Sequence, residues 1–149
     1  MTDALYNTQI LRLAADIPRL QRLAAPQASV TKVSPICGSR IIVDLILDDQ
    51  GRVTDYGQEV RACALGQAAA SLMATHVVGQ GADDLLALRD AMAAYLKGQG
   101  PAPAAAWAEL AIFAPAREHK SRHGSIMLPF EAVAAAIGQI RAAPARESA

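Results

Sequence analysis

The chain has 149 residues with 14 basic and 14 acidic side chains, so its formal net charge is zero. Neutrality excludes a protein that displaces counterions from nucleic acid and one that docks on membranes by a polybasic surface. Nor is there the run of about 18 apolar residues that a bilayer-spanning helix needs.

Hydrophobic residues make up 52% of the chain and aromatics only 4%, with 33 alanines. The core is therefore built largely of small, helix-favouring side chains. Two cysteines are too few for a disulfide-stapled secreted domain, which predicts a cytoplasmic chain with free thiols. The first twenty residues are interrupted by Asp3, Asn7, Arg12 and Asp16 and lack a basic start, unlike a signal peptide.

In chain order, Leu5, Ile10, Leu13, Ile17 and Leu20 recur at helical steps within residues 3–23, and Pro18 ends or kinks that helix near Ile17. Three strands follow. Residues 28–34 place Ala28, Val30 and Val33 as apolar positions, residues 40–48 are rich in β-branched side chains, and residues 52–60 come after an Asp49-Gln50-Gly51 turn. Short connectors predict an antiparallel meander. Residues 63–78 are almost wholly small or apolar, as in a helix buried against a sheet.

Residues 82–97 form a second helix with Asp83 and Asp84 in its first turn, where carboxylates suit the helix dipole. Residues 98–103 are a loop, 104–113 a short helix with the single Trp, and 115–124 a polar, basic loop. A last helix is expected from Pro129, a tolerated first-turn residue, to about Arg141, with a frayed tail over 142–149. The order predicts a single α+β domain over 1–149: an N-terminal helix, a three-stranded antiparallel sheet, then several helices packed on one face.

Three settings carry possible chemistry. Cys37 lies in a strand-to-strand turn beside Gly38, which leaves a metal or reacting sulfur room to approach the backbone. Cys63 opens a helix, whose N–H groups favour a thiolate. His123 sits in the basic loop with Lys120 and Arg122, and imidazole is a common metal ligand. Either cysteine is equally readable as a small core residue, and His76 and His119 read as structural and solvated. No phosphate loop, G-x-S-x-G or H-E-x-x-H suggests an unrelated enzyme.

Together these segments resemble the U-type iron–sulfur cluster assembly scaffolds, the NifU N-terminal, IscU and SufU group. Leu5-Tyr6, Ile10 and Pro18-Arg19 are similar to the family's opening helix, and Ser34-Pro35-Ile36-Cys37-Gly38-Ser39-Arg40-Ile41 to its N-P-x-C-G-D-x-I motif. Asp44-Leu45 and Gly51-Arg52-Val53 continue its strand pattern. The block from Cys63 to Met73 resembles the SufU-like G-C-A-I-S-Q-A-S-A-S-M-M, and the long stretch from there to His123 also looks like the SufU branch.

The chain departs from the family at Ser39, where the motif has Asp, at Ala62, where it has Gly, and in lacking the third cysteine. Matching His123-Gly124-Ser125-Ile126-Met127 to H-C-S-I-L puts Gly124 in that cysteine's place, whereas a shift by one puts His123 there.

The resemblance implies a non-enzymatic scaffold or sulfur acceptor that binds a transient [2Fe–2S] cluster or zinc. Cys37 and Cys63 would be ligands and sulfur acceptors and His123 the third ligand, with Gly38, Ser39, Lys120 and Arg122 around them. The partners implied are a cysteine desulfurase and recipient apo iron–sulfur proteins, with no nucleic acid and no membrane. A zinc-dependent sulfurtransferase of SufU type, or a diverged partner protein without its metal site, are the alternatives. With a thiolate and a carboxylate fewer than the family motif, the site is expected to hold metal more weakly or more labilely.

Overall fold

The computed structural model describes residues 5–36 and 38–143. Helix α1 spans Thr8–Ala15, with Asn7 capping it by accepting from the Ile10 N–H at 3.0 Å. It is shorter than the apolar spacing predicts, and Leu20 lies beyond it, 55% exposed, in an extended strap. Strands β1 (Ala28–Val33), β2 (Arg40–Leu47) and β3 (Val53–Arg61) form an antiparallel sheet in the order β1-β2-β3. Helices α2 (Ala64–His76) and α3 (Ala82–Leu96), a 3₁₀ segment (Ala105–Glu118) and α4 (Lys120–Ala142) complete the α+β architecture.

The strand period decides which side chains face the helices. Ile41, Val43, Leu45 and Leu47 of β2 and Ala28 and Val30 of β1 are buried. Val33, counted among the apolar positions of β1, falls out of phase with Ala28 and Val30 and is 54% exposed. Ala68, Ala69 and Ala70 of α2 are completely buried, small enough for α2 to pack against both α1 and α4. Among the described residues, no helix is long and apolar enough to cross a membrane.

The opposite face of the sheet carries a buried charge. Asp44 lies directly across from Ser29 on β1 and Gly57 on β3. Arg22, in the strap, donates to both of its oxygens (Nε to Oδ2 at 2.7 Å, Nη2 to Oδ1 at 3.1 Å). The Leu23 N–H and the Ser29 hydroxyl also donate to it, at 2.9 and 2.7 Å. The same strap closes the edge of β3, where the Gln58 N–H donates to the Arg19 carbonyl at 3.1 Å. Inside, the buried Gln58 side chain donates to the carbonyls of Pro18 and Ala70 and accepts from the Tyr56 hydroxyl.

Two expectations change in the last third of the chain. The segment 115–124 is not a loop, because its first half completes the 3₁₀ segment and α4 already begins at Lys120. Pro129 therefore lies inside α4 rather than opening it. Proline keeps a helical φ but brings no N–H, so the carbonyl four residues back, that of Ser125, receives no backbone donor from it. Burial from Ser125 to Phe130 holds this stretch in helix despite the proline. Of the expected tail, Ala142 ends α4 and the Ala143 N–H closes its last turn, while 144–149 lie outside the described residues.

Candidate metal and sulfur site

Cys63 is the N-cap residue of α2, with extended backbone (φ −67°, ψ 171°), and its side chain does not cap the helix. The sulfur turns instead towards α4, where Cys63 Sγ lies 3.3 Å from Ser125 Oγ. Ser125 in turn donates to Ser39 Oγ at 2.9 Å. Both hydroxyls are buried, Ser125 completely, and the half-buried sulfur closes the chain. Three elements distant in sequence thus meet at Ser125: the start of α2, the start of β2 and the first turns of α4.

Cys37 itself lies outside the described residues. The turn that carries it is closed by two backbone bonds, from Ser34 N to Ser39 O and from Gly38 N to Ser34 O, each 2.8 Å. Gly38 has φ +74°, in the left-handed region that favours glycine. Gly124 of α4 looks onto this turn, for a Cβ there would lie 2.9 Å from Ser34 Oγ.

His123 points elsewhere. Its Nε2 lies 2.9 Å from the Ala116 carbonyl oxygen. A carbonyl can only accept, so Nε2 carries the proton and the neutral ring keeps its lone pair on Nδ1. The ring borders two cavities. One, of about 380 Å³, runs over Val33, Pro35, Leu96 and Met127 to Gly124. The other, of about 390 Å³, is lined by Lys97, Gln99, Arg117 and Lys120. Lys120 thus shares a hollow with His123, while the half-buried Arg122 borders neither. His119 is exposed at the start of α4, and His76 stands edge-on to Trp107 at 5.5 Å, as sequence suggests for both. Among the described residues, no three of His, Cys, Asp and Glu gather into a metal-holding group.

Residues 5–139 match the NifU-like N-terminal domain. The chain belongs to that family. Among solved structures it is similar to a nitrogen-fixing NifU-like protein (N-terminal) from Brucella abortus. The identity is 48% and the TM-score 0.90, covering 93% of this chain and 96% of that one. A candidate iron–sulfur cluster assembly scaffold protein for the SUF system from Fervidobacterium islandicum has a TM-score of 0.83. At 14% identity over 92% of this chain and 99% of that one, it shows a shared fold. The comparison with curated proteins returned no match.

Within this NifU-like frame, Ser39 and Cys63 are joined through Ser125, a residue outside the expected ligand set. In the sequence Ser125 stands in the stretch matched to H-C-S-I-L and leads an otherwise apolar run, Ile126-Met127-Leu128. On a helix, side chains two positions apart point to nearly opposite sides. That is why His123 and Ser125 of α4 face different surroundings.

Proposed function

We propose that this NifU-like domain is an iron–sulfur cluster assembly scaffold or sulfur acceptor whose working groups are the thiols of Cys37 and Cys63. His123, which borders the cavity over Ser34 and Pro35 but faces away from Cys63 Sγ, would serve as third ligand through Nδ1 only once its side chain turns towards that sulfur. The observation that carries this reading is the Cys63–Ser125–Ser39 chain. It ties the helix start bearing one cysteine to the turn bearing the other, with a sulfur that is neither buried in the core nor spent on capping its own helix. The bond from His123 to the Ala116 carbonyl suits a metal-binding imidazole, because ligating histidines commonly donate their other N–H to a carbonyl.

A [2Fe–2S] cluster or a zinc ion is cargo in this reading. Two thiolates and an imidazole carry less negative charge than three thiolates and a carboxylate, and the hydroxyls of Ser39 and Ser125 add none. Such a set holds metal lightly, which favours transfer over storage. Gly38 gives the cargo backbone clearance, and Lys120 and Arg122 bring positive charge to the first turns of α4. Sulfur would arrive from a cysteine desulfurase and leave towards recipient apo iron–sulfur proteins. Placement in the SufU-like branch rests on the match of Cys63–Met73 and on the long stretch from there to His123.

Purification without oxygen, followed by iron, zinc and sulfide analysis with a visible spectrum, tests the reading. Iron with equimolar sulfide and visible absorbance supports the cluster scaffold, and zinc without colour supports sulfur transfer of SufU type. No metal even after reconstitution makes the protein a diverged partner with no metal site. Cys37→Ala and Cys63→Ala should each remove bound metal at little cost in stability, and His123→Ala should lower retention. Unchanged metal content in any of the three removes that residue from the ligand set.

A further inference from the structure

We infer that Ser125 is a positioning residue for sulfur carried on Cys63, its hydroxyl holding the anionic outer sulfur of a persulfide, with Ser39 deciding where that hydroxyl points. The inference rests on the sulfur-acceptor reading above and assigns this role to a residue outside the expected ligand set.

The Ser125 hydroxyl has one proton and two neighbours, Cys63 Sγ at 3.3 Å and Ser39 Oγ at 2.9 Å. It is completely buried, so water does not compete for that proton. With a neutral thiol, Cys63 donates to Ser125 and Ser125 donates to Ser39. An anionic sulfur can only accept, so the Ser125 hydroxyl turns from Ser39 to donate to it. Hydrogen bonds to ionised groups are about twice as strong as neutral ones, which favours that turn. The N-terminal dipole of α2 acts in the same direction. A second feature fits a hydroxyl held in place. The α2 residue facing it is Gly66, where a Cβ would lie 2.8 Å from Ser125 Oγ.

The step is a sulfur exchange without net redox change. The Cys63 thiolate attacks the outer sulfur of a donor persulfide, R–S–SH. The donor S–S bond breaks as the new one forms on Cys63. The leaving RS⁻ takes the proton, giving Cys63–S–S⁻ and RSH. An S–S bond of about 2.05 Å leaves the outer sulfur close to the hydroxyl that already reaches the inner one.

The test uses the Cys37→Ala protein, in which Cys63 is the single thiol, treated with glutathione persulfide. Intact mass follows the added sulfur over time, and melting temperatures confirm that each variant is folded. Adding Ser125→Ala should shorten the lifetime of the persulfide by roughly tenfold, the loss of one charge-assisted bond. Adding Ser39→Ala should lengthen it, because the acceptor that competes for the Ser125 proton is removed. A packing role would shorten it in both variants alike, and that result, like an unaltered lifetime in Ser125→Ala, overturns the inference while leaving the acceptor reading intact. If no sulfur is added in the Cys37→Ala parent, the acceptor reading fails at Cys63 and the role of Ser125 falls with it.

Discussion

Gly66 of α2 faces Ser125 of α4 so closely that a Cβ on the glycine would lie 2.8 Å from the serine Oγ and 3.2 Å from its carbonyl oxygen. The Ala62 Cβ would be equally near, at 2.8 Å. That carbonyl is also the one to which Pro129, lacking an N–H, makes no helical bond. Gly66→Ala gains about 1 kcal/mol of helix propensity but forces the two helices apart. Overpacking of this kind costs roughly 1–3 kcal/mol. The expected net result is a lower denaturation midpoint together with altered alkylation of Cys63. A variant more stable than the parent would show that the helices part without cost.

Asp44 supplies a pH dependence. Burial pushes its carboxyl towards a higher pKa, but the bonds from Arg22, Ser29 and the Leu23 N–H outweigh it and hold the group below the usual carboxylate range. A depressed folded pKa gives stability that is present above the unfolded value, about 3.9, and is lost as pH falls through the folded one. The melting temperature should therefore fall on acidification below about pH 5. Asp44→Asn should flatten that acid limb and cost about 1–2 kcal/mol at neutral pH, because its charge-assisted bonds are lost while Arg22, 43% exposed, keeps its hydration. Urea midpoints measured across the acid range check both.

At Gly57 the strap passes directly over the sheet, and a Cβ there would collide with the Gln21 carbonyl and come within 3.2 Å of the Leu23 nitrogen. Both are backbone atoms and cannot rotate away. Gly57→Ala should lift the strap, break the bond from Gln58 N to Arg19 O and weaken the clamp of Arg22 on Asp44. A loss of roughly 2–4 kcal/mol is expected, with earlier proteolysis between residues 16 and 27. Wild-type stability and wild-type cleavage together would contradict this account of the strap.

A gain of function is expected at Gly124. The Cβ direction there leads to Ser34 in the turn that carries Cys37, at 2.9 Å from its hydroxyl, so a cysteine would need only a small shift of one side-chain end. Under the proposed function, Gly124→Cys adds a third thiolate and should tighten zinc binding by about tenfold or more, the effect of one soft, charged ligand. Competition with a zinc-binding dye measures it, and unchanged affinity would mean that position 124 does not face the metal.

Local periodicity was enough to establish that the chain is α+β, that three strands precede the main helices, and that Cys63 stands at a helix start. These features depend on residues a few positions apart, and the alternation in β2 and the small, apolar run of α2 state them directly. The sequence also carried the NifU-like identity, through short blocks around Cys37 and Cys63.

Other features depend on residues that meet only after folding. Ser125 lies 62 positions from Cys63 and 86 from Ser39, and no local pattern relates them. Pro129 looked like a helix start because its own preference allows one, and only burial of the surrounding side chains shows that the helix runs through it. Asp44 looked like part of a strand motif, but the strap made it a buried, four-fold hydrogen-bonded charge. Helix rotation, finally, put Ser125 rather than His123 beside the Cys63 sulfur, because two residues along α4 is half a turn.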